Sequence, residues 1–161
     1  MSRLDSFINR LTAQRDLLNH IARENMLPEE GAILELGLGN GRTFNHLREL
    51  FSNRHIIVFD RAVAAHKSSI PTEQNIVLGE ISDTAARFVG QNAAMVHADI
   101  GTGYEDADAQ TLTWLPKLCV GLLASGGIAA SGLPLSHSQL ATLPLPRGIA
   151  SDRYFLYRRT G

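Results

Sequence analysis

Three glycines at alternate positions are the residues best suited to chemistry in this chain: Gly37, Gly39 and Gly41. They follow a short apolar segment, Ala32–Leu36, which contains one acid, Glu35. Glycine is favoured where a side chain would clash with a ligand or where the backbone needs a positive φ angle. A helical pattern begins near Arg42, and the free N–H groups at its start would face whatever lies over the turn. The segment therefore predicts a strand, a tight turn and a helix that bring the backbone close to a ligand.

Two acids follow apolar segments farther along the chain. Asp60 comes directly after His55–Phe59, and Asp99 comes directly after Ala93–Ala98. Each segment is nearly continuous in apolar residues, as in strands that are buried on both faces of a parallel sheet. Because open α/β sheets place ligands at the carboxyl ends of their strands, both carboxylates are predicted to lie near the glycine turn.

The elements that must position these residues alternate between strand and helix patterns. Strands are predicted at Ala32–Leu36, His55–Phe59, Asn75–Leu78, Ala93–Ala98, Ile128–Ser131 and Arg153–Arg158. Helices are predicted at Ser2–Asn25, Arg42–Asn53, Arg61–Ser69, Ile81–Val89 and Glu105–Ala124, the last kinked or split by Pro116. This alternation predicts an α/β fold, a three-layer αβα sandwich with a mostly parallel, doubly wound sheet. We expect residues 1–161 to form a single domain.

The long N-terminal helix carries a predicted capping box, in which Ser2 and Asp5 bond to each other's backbone. One apolar stripe follows helical spacing: Leu4, Phe7, Ile8, Leu11, Leu18, Ile21 and Ala22. The arginines lie largely off that stripe and are interpreted as a solvated face: Arg3, Arg10, Arg15 and Arg23. Such a helix must pack on the domain or against another subunit.

Composition limits the classes of partner. The chain has 15 Lys and Arg residues against 16 Asp and Glu residues, whereas a protein that binds the nucleic-acid backbone normally has a basic excess. The single cysteine, Cys119, lies in an apolar stretch and is interpreted as a buried residue. The first 25 residues are charged and amphipathic, and no apolar run approaches the length of a membrane span. We therefore expect a cytoplasmic protein with no nucleic-acid or membrane partner.

Two classes of ligand use a glycine turn after the first strand with an acid after the second. The dinucleotide fingerprint, G-x-G-x-x-G/A, needs a small residue five positions after Gly37, where this chain has Arg42. A large side chain there would spoil the close packing of helix on strand that the third glycine permits. The spacing therefore disfavours a nicotinamide dinucleotide.

The segment Leu34–Gly41 matches a different motif, an acid followed by G-x-G-x-G, and here the chain resembles the class I S-adenosylmethionine-dependent methyltransferases. Further motifs of that family occur in order, at Asp60, at Gly79-Glu80-Ile81, at Asp99-Ile100-Gly101 and at Leu122–Gly127. The resemblance covers residues 32 to about 131 and implies the family's Rossmann-like fold. It implies that the cofactor is S-adenosyl-L-methionine.

The segment after Ser131 departs from the family. Typical members continue after the fifth strand with a helix and an antiparallel hairpin, and too few residues remain here for all three. We therefore expect a small variant with a shortened C-terminus, a meander of one or two strands with at most one helical turn around Ser136–Leu140.

The resemblance also implies which residues contact the cofactor. Asp60 would accept hydrogen bonds from both ribose hydroxyls, and Ile81 with Ala62 would border the adenine. Glu35 or carbonyls of the turn would suit the methionine ammonium, and the first N–H groups of the helix would suit its carboxylate. The predicted contacts are Glu35, Gly37, Leu38, Gly39, Asn40, Gly41, Arg42, Thr43, Asp60, Arg61, Gly79, Glu80, Ile81, Asp99 and Ile100.

Structural alternatives stay open for three of the polar residues. Glu35 would in the alternative only anchor the turn through hydrogen bonds. Glu80 would only cap the helix that follows it. His97, in the middle of the fourth strand, is interpreted as a packed or hydrogen-bonded core residue rather than as a base.

Methyl transfer from a sulfonium is an in-line displacement that needs proximity, alignment and sometimes a base. Asp99 is the predicted catalytic residue, as a base or as a positioning group. Weaker candidates lie in the loops after the fourth and fifth strands: Tyr104, Ser136 and His137. No metal site is predicted, because the nearby acids are interpreted as helix N-terminal charges: Glu105, Asp106 and Asp108.

The expected function is methyl transfer to a small-molecule acceptor. The alternatives are a non-catalytic, regulatory S-adenosylmethionine-binding protein and an NAD-linked oxidoreductase. The apolar stripe of the first helix and the aromatic last strand favour a homo-oligomer, either a dimer or a tetramer.

Overall fold

A seven-stranded sheet forms the middle layer of the protein, and the predicted site lies at the carboxyl ends of its parallel strands. The computed structural model describes residues 1–161. Its strands are β1 Ile33–Leu36, β2 Ile56–Asp60, β3 Ile76–Leu78, β4 Ala93–Ala98, β5 Leu123–Ser131, β6 Leu140–Thr142 and β7 Phe155–Arg159. They lie in the order β3-β2-β1-β4-β5-β7-β6. Strands β1 to β5 run parallel, and β7 runs antiparallel to both of its neighbours.

The winding direction of the sheet reverses between β1 and β4. The chain goes outward from β1 to β2 and β3, and then returns to place β4 on the other side of β1. In open α/β sheets such a switch point leaves a crevice beyond the carboxyl ends of the strands. The glycine turn follows β1 and Asp99 follows β4, so both lie at this crevice.

Helices cover both faces of the sheet. They are α1 Arg3–Arg23, α2 Arg42–Leu50, α3 Ile81–Thr84, α4 Glu105–Leu112 and α5 Leu115–Leu122. One apolar cluster joins α1 and α2 to the first face, and a second joins α5 and the region of α3 to the other face. The predicted three-layer α/β architecture is therefore confirmed. The structure contains no helix with the length and apolar character that crossing a membrane requires.

Helix α1 is capped as predicted but is only half covered. The Ser2 hydroxyl accepts from Asp5 N–H, and the Asp5 carboxylate accepts from Ser2 N–H. The residues buried against the domain lie in the C-terminal part of the helix: Ala13, Gln14, Leu17, Leu18 and Ile21. The start of the predicted apolar stripe is exposed: Leu4, Phe7 and Ile8. The domain therefore covers only the second half of the predicted stripe, and the first half is open to a partner.

Two of the predicted helices are corrected by the structure. Arg61–Ser69 contains only a 3₁₀ turn at Lys67–Ser69, because the segment lies against the glycine turn, where the His66 N–H donates to the carbonyl of Asn40. The helix predicted at Ile81–Val89 is α-helical only as far as Thr84 and continues as a 3₁₀ helix.

The C-terminal part of the sheet has two strands after β5, as the expected meander of one or two strands allows. The predicted split of the Glu105–Ala124 helix is confirmed, with Pro116 in the first turn of α5, where its missing N–H costs nothing. Strand β5 begins at Leu123 rather than at Ile128. Both strands of the hairpin, β6 and β7, form without a helix between β5 and β6, and no helical turn forms around Ser136–Leu140.

Candidate functional site

The turn after β1 needs glycine at both of its ends, because no side chain would fit there. Gly37 has a φ of 97° and Gly41 a φ of 85°, in the left-handed region that favours glycine. A Cβ on Gly37 would lie 2.8 Å from Cγ2 of Ile100, and one on Gly41 would lie 2.7 Å from Cβ of Ser69. The turn is therefore wedged between the loop after β4 and the segment after β2.

Asp60 fastens this turn from the end of β2. Its Oδ2 accepts from the N–H groups of Leu38 and Gly39, at 2.8 and 3.1 Å. Its Oδ1 accepts from the N–H of Arg61 at 2.7 Å and has capacity for one more donor. The sequence did not anticipate the role of Asp60 in holding the turn, and its contact with a ribose stays a prediction.

A cleft of about 620 Å³ opens beside the turn at the carboxyl ends of the strands. Its lining includes these predicted cofactor contacts: Gly37, Gly39, Asp60, Arg61, Glu80, Ile81, Asp99 and Ile100. Residues of α4 and of the segment after it, which the sequence did not single out, also line the cleft: Ala107, Gln110, Thr111 and Trp114. The only feature of the sequence that could have predicted them is their position just after the loop that follows β4.

A smaller cavity of about 190 Å³ lies on the other side of the turn. It is lined by the remaining predicted turn residues: Leu38, Asn40, Gly41, Arg42 and Thr43. No side chain caps the start of α2, so the first N–H groups of that helix are available to an anionic group. The cavity therefore suits a carboxylate.

Helix α1 forms the far wall of this smaller cavity through Arg10, Leu11 and Gln14. Nη1 of Arg10 lies 3.2 Å from Oδ1 of Asp99, in a half-buried ion pair. The interpretation of Arg10 as part of a solvated face is therefore wrong, because the helix crosses the site and turns this arginine inward. Arg15 and Arg23 pair at the surface with neighbouring acids, as a solvated face does.

Glu80 lies at the rim of the cleft and occupies the N-cap position of α3. Its side chain makes no capping bond to the helix, so the structure does not support side-chain capping as its role. It pairs instead with Nε of Arg61 at 2.9 Å, with both side chains exposed. Gly79 does not line the cleft, and its N–H donates to the carbonyl of Asp60.

Asp99 lies where three cavities meet. It lines the 620 Å³ cleft, the 190 Å³ cavity and a third cavity of about 450 Å³ on the side of β5 and β7. The weaker catalytic candidates line none of the three: Tyr104, Ser136 and His137. Apart from Glu35 and Gly79, the predicted cofactor contacts thus line cavities that include Asp99, and those three candidates do not.

A buried chain of hydrogen bonds runs beneath the site and was not predicted. Oε1 of Glu35 lies 2.6 Å from Nδ1 of His97, and Nε2 of His97 lies 2.5 Å from the hydroxyl of Tyr154. Gln14 of α1 donates to the same hydroxyl at 3.1 Å. All four residues are buried, and Oε2 of Glu35 has no hydrogen-bond partner. His97 is therefore confirmed as a hydrogen-bonded core residue.

These hydrogen bonds hold Glu35 in the interior, on the strand that leads into the glycine turn. Its side chain is fully buried and bonds to His97, so the alternative that it anchors the turn by direct hydrogen bonds is wrong. Its contact with the methionine ammonium stays a prediction.

The buried pair retains protons more strongly than the free side chains do. Burial raises the pKa of Glu35 from its usual 4.5 to about 6, against the opposing effect of His97. Burial alone would lower the pKa of His97, but the Glu35 carboxylate outweighs it and the pKa is raised. Burial raises the pKa of the Cys119 thiol to about 12, which confirms that cysteine as a buried, unreactive residue.

We expect the free energy of unfolding to fall as the pH rises from about 4, just below the ordinary pKa of Glu35, through the raised pKa values of Glu35 and His97. Both folded-state pKa values are raised, so both contributions are present at low pH and are lost as the pH rises through those values. The shift of Glu35 alone corresponds to about 2 kcal/mol. Chemical denaturation across this range would measure the slope. Glu35→Gln is the control, and an equal slope in that variant would contradict the assignment.

Comparison with known proteins gives a family match over nearly the whole chain. A family model described as S-adenosyl-L-methionine methyltransferase matches residues 1–159. The chain is similar to the crystal structure of an S-adenosyl-L-methionine methyl transferase from Silicibacter pomeroyi DSS-3, with 40% identity, 99% of each chain covered and a TM-score of 0.89. No match is found among the curated proteins.

More distant structures share the fold alone. The SAH-bound methyltransferase PaMTH1 of Podospora anserina is 14% identical, with 100% of this chain and 80% of that chain covered and a TM-score of 0.56. A putative ribosomal RNA methyltransferase of Plasmodium falciparum is 15% identical, with 92% and 95% covered and a TM-score of 0.55. The family match favours the methyl donor over the nicotinamide alternative. The chain belongs to the S-adenosyl-L-methionine methyltransferase family.

Proposed function

We propose that this methyltransferase acts on a small-molecule acceptor and that methyl transfer takes place beside Asp99. The observation that carries the proposal is that the 620 Å³ cleft and the 190 Å³ cavity share Gly37, Gly39 and Asp99. One extended ligand can therefore lie across the glycine turn with a part in each. The two parts differ in chemistry, as the two halves of S-adenosyl-L-methionine do.

The adenosine half fits the larger cleft. Ile81 offers an apolar surface to the adenine, and Asp60 Oδ1 has capacity for a ribose hydroxyl. The methionine half fits the smaller cavity. There the uncapped N–H groups of α2, with Arg42 and Arg10 beside them, suit a carboxylate.

The cofactor supplies a methyl group on a sulfonium, which is already activated for displacement. The residues of the chain therefore have to align the acceptor and accept its proton. Asp99 lies at the junction of the three cavities and is the group placed to do both. Arg10, 3.2 Å away, holds the Asp99 carboxylate in position.

A small acceptor is favoured over a polymer. The third cavity at Asp99 has a volume of about 450 Å³, which is within the range of small-molecule pockets. The net charge of −1 offers no excess of cations for a nucleic-acid backbone.

A homo-oligomer and a cytoplasmic location stay predictions. The exposed apolar residues at the start of α1 support the first, since large exposed apolar patches mark contact surfaces: Met1, Leu4, Phe7 and Ile8. The second rests on the sequence alone.

The proposal is tested by isothermal titration with S-adenosyl-L-methionine and then by a screen for S-adenosylhomocysteine release across small acceptors. Asp60→Ala is expected to weaken cofactor binding by about 1–3 kcal/mol, because it removes a charged acceptor from the ribose side and from the turn. Glu30→Gln, an exposed residue before β1 at the opposite edge of the sheet, is the matched control. Unchanged affinity in Asp60→Ala would remove the ribose assignment, and tight binding with no turnover on any acceptor would count against the small-molecule proposal.

A further inference from the structure

The third cavity at Asp99 has a lining that points to the class of acceptor. It shares Asp99, Gly101 and Thr102 with the 620 Å³ cleft, and it shares Arg10 with the 190 Å³ cavity. A molecule bound in it would therefore lie next to the proposed position of the methyl group. The inference that follows rests on the proposed function.

The lining of this cavity is polar and charged. Leu133 is its one hydrophobic residue. The charged members are two arginines and three aspartates: Arg10, Arg153, Asp99, Asp108 and Asp152. An apolar or aromatic acceptor would bind weakly to such a surface, because the polar groups of the cavity would lose their water without gaining new hydrogen-bond partners.

Two of the three carboxylates are already occupied by the protein. Oδ1 of Asp108 accepts from the N–H and hydroxyl of Thr102, and Oδ2 accepts from the N–H of Gly103. Asp99 pairs with Arg10. Asp108 therefore shapes the loop, and Asp152, which makes no hydrogen bond or ion pair, lies exposed beside Arg153 in sequence.

Of the two arginines in this cavity, Arg153 is the one without a counter-ion. Its Nη1 donates to the Ser6 hydroxyl at 3.2 Å, and its Nη2 contacts the Met1 sulfur at 3.9 Å. It makes no ion pair with any carboxylate of the chain, whereas Arg10 does. The remaining N–H groups of a guanidinium held in this way match a carboxylate with two parallel hydrogen bonds.

We propose that the acceptor is a small polar acid whose carboxylate is bound by Arg153 and whose hydroxyl or amine lies at Asp99. In the transfer step the oxygen or nitrogen of the acceptor bonds to the methyl carbon as the bond from carbon to sulfur breaks. The sulfonium becomes the neutral thioether of S-adenosylhomocysteine. The proton of the acceptor passes to the Asp99 carboxylate and from there to water.

The test uses a panel of small hydroxy and amino carboxylic acids, each paired with its primary amide. Binding is measured by saturation-transfer NMR on the full chain saturated with S-adenosylhomocysteine. We expect some of the acids to bind at least about tenfold more tightly than their amides, since hydrogen bonds to charged groups contribute that much. Arg153→Gln should remove this preference, Arg153→Lys should keep part of it, and the exposed Arg147→Gln should leave it unchanged.

The outcomes separate this inference from the proposed function. Failure of the wild-type chain to bind S-adenosylhomocysteine would overturn the cofactor site itself. Normal binding of S-adenosylhomocysteine with no preference for acids, or with a preference that survives in Arg153→Gln, would overturn the acceptor class alone. Once an acid is found to be methylated, a KM raised by Arg153→Gln with little change in kcat is the result expected of a binding residue.

Discussion

His97→Ala is expected to destabilise the protein by about 3–5 kcal/mol at pH 8, a large share of the stability of an ordinary domain. The substitution removes the partner of Glu35 and leaves a buried carboxylate whose other oxygen already lacks a hydrogen bond. It also leaves Tyr154 with Gln14 alone. The loss should be smaller at about pH 5, because the Glu35 carboxyl can then take up a proton and lose its charge. Chemical denaturation at the two pH values measures both effects.

Glu35→Gln supplies the control for this prediction. It keeps the shape of the side chain and removes its charge. In the His97→Ala background it should restore part of the lost stability at pH 8, since the uncompensated charge is gone. A cost of less than about 1 kcal/mol for His97→Ala would show that the pair is not a closely coupled buried ion pair.

Gly41→Ala is expected to lower both stability and cofactor affinity. Its φ of 85° costs about 1–2 kcal/mol for any residue with a Cβ. The added Cβ would also lie 2.7 Å from Cβ and 2.8 Å from the carbonyl oxygen of Ser69, so the start of α2 or the segment after β2 must move. We therefore expect a total loss of at least about 2 kcal/mol, measured by denaturation, and weaker binding of S-adenosyl-L-methionine by titration.

Two other glycines separate the steric effect from the backbone effect. Gly148 has a φ of 96° and no neighbour within 4 Å, so Gly148→Ala measures the backbone cost alone, away from the site. Gly39 also has open space at its Cβ position, but it lines both cavities at the turn, where we propose that the cofactor binds. Gly39→Ala should therefore weaken binding more than it lowers stability. Equal stability losses for Gly41→Ala and Gly148→Ala would contradict the close contact with Ser69.

Predictions from the sequence were wrong where a segment has a helical pattern of its own but makes stronger contacts with distant residues. The residues after Asp60 can form a helix by themselves, yet the segment is held against the glycine turn by His66 and Ser69. The first half of the α1 stripe has helical spacing but is exposed, because the start of the helix contacts the domain through Ser6 and Arg10 instead. Local propensity is outweighed in the first case, and in the second the periodicity does not say how much of a helix the domain covers.

The sequence by itself determined the glycine turn and the alternation of strands with helices, and its resemblance to a known family implied the cofactor. The turn and the alternation could be predicted because they depend on local requirements: glycine where φ is positive, acids directly after buried strands, and hydrophobic periodicity. Only the tertiary structure decided that Arg10 faces Asp99 across a separation of 89 residues and that Gln14 reaches Tyr154 across 140. It likewise placed Glu35 opposite His97 on neighbouring strands, and Arg153 without a counter-ion beside the site. Such pairs cannot be predicted from the spacing of residues in the sequence, because they form only when α1 and the C-terminal strands pack on the sheet.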